Sequence, residues 1–92
     1  MRKAVVVRIE GRVQGVWYRG WTVEQASRRG LDGWVRNRAD GSVEALFAGE
    51  AAAVAAMLEA CRQGPAAAQV TAVLPVPGTD PGPVGFCQIA SL

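Results

Sequence analysis

Two helix-forming segments, each lying between strand-forming segments, restrict the fold of this chain more than any other feature. Residues 4–10 alternate in polarity, with Val5, Val7 and Ile9 on one face, as in a half-buried strand. Gly30 is placed to end the first helix in a left-handed conformation. The predicted elements are, in chain order, strand 4–10, helix 18–29, strand 31–37, strand 42–49, helix 50–63, strand 69–76 and a short strand 84–90.

This order of elements predicts an α+β fold. Two strand–helix–strand halves are typical of a ferredoxin-like α/β sandwich (βαββαβ, here with a short fifth strand), in which two helices cover one face of an antiparallel sheet. The length of 92 residues fits one domain, so we expect residues 1–92 to form a single domain. The fold hosts enzymes, RNA binders and regulatory domains, and therefore says little about function by itself.

The composition excludes several kinds of site. The chain has no histidine, and its two cysteines, Cys61 and Cys87, are far apart in sequence, so a zinc site is not expected. Both cysteines are interpreted as buried apolar residues. The aspartates are isolated, and neither a nucleotide phosphate loop nor a dinucleotide-binding glycine pattern is present. We therefore expect no metal ion and no cofactor.

The charge pattern points to a cytoplasmic, soluble protein. The net charge of +2 is too small to indicate a nucleic-acid partner. Arg8 and Glu10 interrupt the first apolar run, which is too short for a signal sequence, and no segment is long enough to span a bilayer. We expect a monomer with no nucleic-acid or membrane partner.

The segment "GRVQGVWYRG", residues 11–20, is the candidate site. Gly11 and Gly15 allow sharp turns and close approach, so peptide N–H groups up to Arg19 could form a concave anion nest at a helix start. Strands 4–10 and 31–37 run parallel in this fold, which brings Asn37 to the same sheet edge. An ordinary turn, a solvated arginine and a strand-end asparagine remain open alternatives, and the aromatic residues of this region are interpreted as packing residues.

Two segments resemble the signatures of the acylphosphatase family. They are "GRVQGVWYRGW" and "GWVRNRADGSVEALFAG", and "GPAAAQV" at 64–70 is similar to the family's entry into its fourth strand. The resemblance implies hydrolysis of the carboxyl–phosphate bond of a small-molecule acyl phosphate, with Arg19 and Asn37 at the two catalytic positions. If the cradle itself neutralises the phosphate, no metal is required. The phosphate cradle that it implies consists of Val13, Gln14, Gly15, Val16, Trp17, Tyr18 and Arg19.

The end of the chain departs from the family pattern. The family usually finishes with an aromatic-x-Ile-Arg strand, whereas "GFCQIASL" spaces Phe86 and Ile89 differently and continues with Ala90. The register of the last strand is therefore open.

Two functions of other classes also remain. Trp34 on an open sheet face would suit RNA binding, although the third strand lacks the basic-glycine-aromatic motif of such binders. A regulatory domain that binds an anion without turnover would keep Arg19 and need no residue to orient water.

Overall fold

The two strand–helix–strand units form one five-stranded sheet with two helices. The computed structural model describes residues 1–92. Its elements are β1 (Arg2–Arg12), α1 (Tyr18–Arg28), β2 (Asp32–Asn37), β3 (Val43–Glu50), α2 (Ala51–Cys61), β4 (Gln69–Pro77) and β5 (Phe86–Gln88). Gly30 adopts φ 68°, the left-handed conformation that ends α1. Both helices have only 11 residues, and neither could span a lipid bilayer.

The sheet confirms the predicted ferredoxin-like α+β fold. Its strand order is β4-β1-β3-β2-β5. β3 pairs antiparallel with both β1 and β2, so those two strands run parallel and their carboxyl ends share one edge. β4 is also antiparallel to β1, whereas β5 pairs parallel with β2, so the sheet is mixed but mostly antiparallel.

The core lies between one face of the sheet and the two helices. Val5, Val7 and Ile9 are buried there, as the alternation in β1 predicts. Each helix adds a stripe of buried residues spaced three or four apart, the period that places side chains on one helical face. These residues are Tyr18, Thr22 and Ala26 in α1, and Val54, Met57 and Cys61 in α2.

Each element lies where it was predicted, but at least one of its ends differs by one or more residues, and β1 is longer than predicted, extending two residues further at each end. Two of these differences have a visible cause. Glu50, expected in the second helix, is the last residue of β3, where it pairs with Arg2 and accepts a hydrogen bond from the terminal ammonium of Met1 at 2.6 Å. The last strand covers only Phe86–Gln88, since Gly85 has φ 76° and cannot continue an extended strand.

The burial prediction is right for one cysteine and wrong for the other. Cys61 is buried in α2, and burial raises the pKa of its thiol to about 12. Cys87 is exposed. In β5 the ring of Phe86 stacks on Phe47 in the core, with ring centroids 5.5 Å apart, so the next side chain faces the uncovered side of the sheet.

Candidate functional site

A depression of about 140 Å³ lies between the loop that follows β1 and the carboxyl end of β2. The lining residues are Val13, Gly15, Trp17, Tyr18, Arg19, Gly20, Asn37 and Gln88. The predicted site residues Arg19 and Asn37 thus lie at one depression. Gln14 and Val16, which the sequence also places in the cradle, do not line it.

The loop presents an unusual run of free peptide N–H groups. None of the N–H groups of residues 13–20 donates a hydrogen bond within the protein. The first N–H groups of any helix lack a partner within the helix, and here the N–H groups of the preceding residues 13–17 are free as well, so the whole stretch can donate to water or an anion. Gly15 and Trp17 have φ of 73° and 68°, whereas the φ of Val16 between them is not positive. An alternation of left-handed and right-handed residues is the backbone pattern of anion-binding nests.

Gly11 was expected to help the loop approach a ligand, but in the structure it has a different role. It does not line the depression. It lies at an irregularity in the pairing of β1 with β4, where a Cβ on Gly11 would come 2.2 Å from the carbonyl oxygen of Gln69. The missing side chain therefore serves the close approach of two strands.

Arg19 is the only charged side chain that lines the depression. It makes no ion pair and no side-chain hydrogen bond, while the ten ion pairs of the protein use other cations. The first turn of α1, where Arg19 lies, contains no acidic residue. A cation at a helix start is disfavoured by the helix dipole unless an anion compensates, so the site is electropositive and suited to an anionic ligand.

Asn37 places a polar atom without a partner at the opposite wall. It is the last residue of β2, where its backbone pairs with Val43 and its carbonyl accepts a hydrogen bond from the N–H of Leu92 at 3.0 Å. The side-chain Oδ1 is buried and has no hydrogen-bond partner. An unsatisfied buried acceptor costs about 1–3 kcal/mol, which favours a ligand or water as its partner.

Gln14 turns its side chain away from the depression and towards the connection between β2 and β3. Its Nε2 donates to the carbonyl oxygens of Arg38 and Ser42, both at 2.8 Å. The side chain therefore fastens the loop to the turn that directly follows Asn37. The sequence carries no local signal for these partners, which lie 24 and 28 residues away.

Tyr18 anchors the other end of the loop. Its side chain is buried, and its hydroxyl donates to the carbonyl oxygen of Cys61 at 2.6 Å, which joins α1 to α2. Burial raises the pKa of the Tyr18 phenol far above its ordinary value, so the phenol stays neutral and takes no part in proton transfer near neutral pH. Val16 packs against the core from the same loop.

The packing interpretation is right for Tyr18 and Trp21 and wrong for Trp17. The first two rings pack together with centroids 5.3 Å apart, whereas Trp17 is 60% exposed. Trp17 is the one non-glycine residue with positive φ, a conformation that costs roughly 1–2 kcal/mol. Its indole lies beside Gly20, where a Cβ would come 2.2 Å from Nε1.

Gln88 is a lining residue that the sequence did not predict. The parallel pairing of β5 with β2 places Gln88 opposite Val35 and so brings its side chain to the edge where Asn37 lies. Pairing between segments about 50 residues apart leaves no local pattern in the sequence, which explains why this residue was missed.

Neither a metal cluster nor a free aromatic surface on the sheet provides a second site of the kinds considered from the sequence. No group of three or more His, Cys, Asp or Glu side chains is arranged to hold a metal ion. Trp34 lies on the uncovered sheet face, where the guanidinium of Arg36 sits 5.0 Å from its ring centroid, so the ring is already covered by a cation. Arg36 also pairs with Glu44 at 2.7 Å, which compensates the charge of that arginine.

Comparison with known proteins gives a consistent picture. A family model described as acylphosphatase matches residues 5–86. An acylphosphatase of Rhodospirillum rubrum is 61% identical over 90 residues, which cover 98% of this chain and 99% of that protein. The crystal structure of acylphosphatase from Bacillus subtilis aligns with a TM-score of 0.91 at 33% identity, covering 97% of this chain and 99% of that one. A structure of an acylphosphatase from Coxiella burnetii has a TM-score of 0.91 at 28% identity, covering 96% and 93%.

Proposed function

Because this chain belongs to the acylphosphatase family, we propose that it hydrolyses the carboxyl–phosphate bond of acyl phosphates at the depression beside α1. The products are a carboxylate and inorganic phosphate. The observation that carries this proposal is the run of eight free N–H groups of residues 13–20, six of whose residues line the depression, the one unpaired arginine of the site among them. Such a cradle matches the charge and the several acceptor oxygens of a phosphoryl group.

Arg19 and the loop N–H groups bind the phosphoryl oxygens and stabilise their charge. Phosphoryl transfer passes through a loose transition state with charge spread over three oxygens, so positioning and electrostatic stabilisation supply most of the catalysis. Arg19 can donate two parallel hydrogen bonds to adjacent oxygens. Since the cradle itself compensates the phosphoryl charge, we propose that no metal is needed.

Asn37 orients the attacking water. Its free, buried Oδ1 can accept a hydrogen bond from a water molecule and hold the water's oxygen in line with the bond that breaks. An amide is not basic enough to remove the proton. We therefore propose that the proton passes to a phosphoryl oxygen and leaves with the product phosphate.

The leaving group needs no help from a protein acid. A carboxylate is the conjugate base of an acid with a pKa of about 4, so it departs as a stable anion near neutral pH. This explains why a chain without histidine, and with its one tyrosine locked in a hydrogen bond to α2, can carry out the reaction.

The test is hydrolysis of benzoyl phosphate by the purified protein in excess EDTA. Arg19→Gln should lower kcat/KM by about 100-fold or more, the effect of losing one donor to a developing charge. Arg12→Gln is the matched control, because Arg12 is exposed, forms no ion pair and does not line the depression. Asn37→Ala should lower kcat by at least about 100-fold while phosphate still inhibits competitively.

The outcomes separate the proposal from its rivals. If the wild-type protein binds inorganic phosphate but does not hydrolyse an acyl phosphate, it is an anion-binding regulatory domain. Full activity of Arg19→Gln or Asn37→Ala would remove that residue from the mechanism. Full loss of activity in EDTA, restored by a divalent cation, would refute the metal-independent reaction.

A further inference from the structure

Trp17 stands apart from the other two tryptophans of the chain. Trp21 packs against the core, and Trp34 is covered by a guanidinium group. Trp17 is 60% exposed and has neither an aromatic nor a cationic partner for its ring, yet it lines the depression. Single exposed apolar residues are common on proteins, so exposure alone carries no meaning. The position of Trp17 at the depression and its backbone conformation, in contrast, point to a role.

Two features of the fold hold the ring where it is. The backbone of Trp17 is left-handed, with φ 68° and ψ 24°, although glycine or asparagine would adopt this conformation more readily. Gly20, one helical turn later, leaves the space that the indole occupies, since a Cβ there would overlap Nε1. A strained residue that the surrounding structure keeps in place at a ligand site is a candidate for a functional role.

Among the side chains that line the depression, only one offers an apolar surface to the acyl group of the substrate. The phosphoryl oxygens engage Arg19 and the loop N–H groups, which are the charge-compensating elements of the site. The other exposed lining side chains are neutral, namely the polar Gln88 and the apolar ring of Trp17. A flat apolar acyl group can therefore gain contact area on the indole, while a small one such as acetyl cannot.

We propose, building on the acylphosphatase function proposed above, that Trp17 is a specificity-determining residue whose exposed indole contacts the acyl group. It favours acyl phosphates with flat, apolar acyl groups. Trp17 then has two roles in the site. Its N–H group belongs to the phosphate cradle, and its side chain contacts the acyl group and so selects among leaving groups.

The experiment compares kcat/KM for benzoyl phosphate and acetyl phosphate in the wild type, Trp17→Asn and Trp17→Phe. Asparagine tolerates the left-handed backbone, so Trp17→Asn removes the ring without forcing a new loop conformation. The benzoyl-to-acetyl ratio should fall about tenfold in Trp17→Asn and stay within about threefold in Trp17→Phe. The two substrates differ in intrinsic reactivity, but that difference cancels when one ratio is divided by another.

Inorganic phosphate, which has no acyl group, reports on the cradle in each variant. A fall in the ratio that exceeds any change in the inhibition constant of phosphate supports the proposal. A ratio within twofold of the wild type in an active Trp17→Asn protein overturns it and leaves the acylphosphatase function standing. If the wild-type protein hydrolyses neither substrate, the proposed function itself fails.

A second measurement needs no variant. Benzylphosphonate and methylphosphonate carry the same phosphonate group with and without a ring, and neither is hydrolysed. The wild-type protein should be inhibited about tenfold more strongly by benzylphosphonate. Equal inhibition would overturn the proposed role of Trp17, whatever the variants do.

Discussion

Replacement of Gln14 should weaken both the fold and the reaction, because this side chain fastens the loop to the turn after Asn37. Its Nε2 donates to the carbonyl oxygens of Arg38 and Ser42. In Gln14→Leu each carbonyl keeps one backbone donor, since the N–H of Gly41 bonds to Arg38 and the N–H of Arg38 bonds to Ser42. The change therefore removes two neutral hydrogen bonds and orphans no carbonyl, which lowers the free energy of unfolding by about 1–3 kcal/mol.

Gln14→Glu should be worse than Gln14→Leu at pH 7. A carboxylate of the same size has no donor and would face two carbonyl oxygens. The folded state then disfavours the ionised form, so the pKa of the new carboxyl is raised on folding. A group with a raised folded pKa loses stability as pH rises through that pKa, so the free energy of unfolding of Gln14→Glu, relative to Gln14→Leu, should recover as pH falls below it.

Urea unfolding at several pH values measures these differences. A small domain has a total stability of about 5–15 kcal/mol, so a loss of about 1–3 kcal/mol is well resolved. Gln63→Leu is the control, because Gln63 is exposed after α2 and its side chain makes no hydrogen bond. In Gln14→Leu, kcat/KM should also fall by up to about 100-fold, as expected when a site shifts by about 1 Å. The reasoning is refuted if Gln14→Leu matches Gln63→Leu in stability, or if Gln14→Glu is no worse than Gln14→Leu at neutral pH.

Two further predictions concern other parts of the fold. Hydrogen bonds from the Arg2 guanidinium hold the pKa values of Asp32 and Asp80 below their ordinary range, so the stability they contribute is present above about pH 4 and lost as pH falls through the lowered values. Arg2→Met should lower the free energy of unfolding at pH 7 and make it decline less as the pH falls. Urea unfolding at several pH values measures both effects, and a decline equal to that of the wild type would contradict this prediction. Gly20→Ala should displace the ring of Trp17 and lower the benzoyl-to-acetyl ratio, although alanine favours a helix over glycine by about 1 kcal/mol; an unaltered ratio in the assay would show that the ring keeps its place.

The elements that follow local patterns could be predicted from the sequence. The alternation around Val5, Val7 and Ile9 and the glycine that ends α1 are local, and both appear as predicted. The sequence also predicted that the first loop and Asn37 lie close together. This proximity depends only on β1 and β2 being parallel and flanking β3. These features can be predicted from the spacing of apolar residues along the chain and from the general rules for how strands and helices are connected.

Features that depend on distant partners could not be predicted in the same way. Gln88 reaches the site through the parallel pairing of a three-residue edge strand, and Cys87 is exposed by the same pairing. The bonds of Gln14 join segments far apart in the chain. Trp17 faces solvent because its backbone is left-handed. The residue type does not predict this conformation, since tryptophan usually packs in a core and non-glycine residues rarely have positive φ.

The loop of residues 13–18 is held by its side chains, and this leaves its backbone free for a ligand. Val13 and Val16 pack against the core, Gln14 bonds to the turn after β2, and Tyr18 bonds to α2. A loop stabilised by its own backbone hydrogen bonds would need no such anchors, but its N–H groups would be occupied. It follows that loss of an anchor should reduce stability and phosphate affinity together. Loss of the cation beside the loop should reduce phosphate affinity alone, because that cation has no partner in the folded protein.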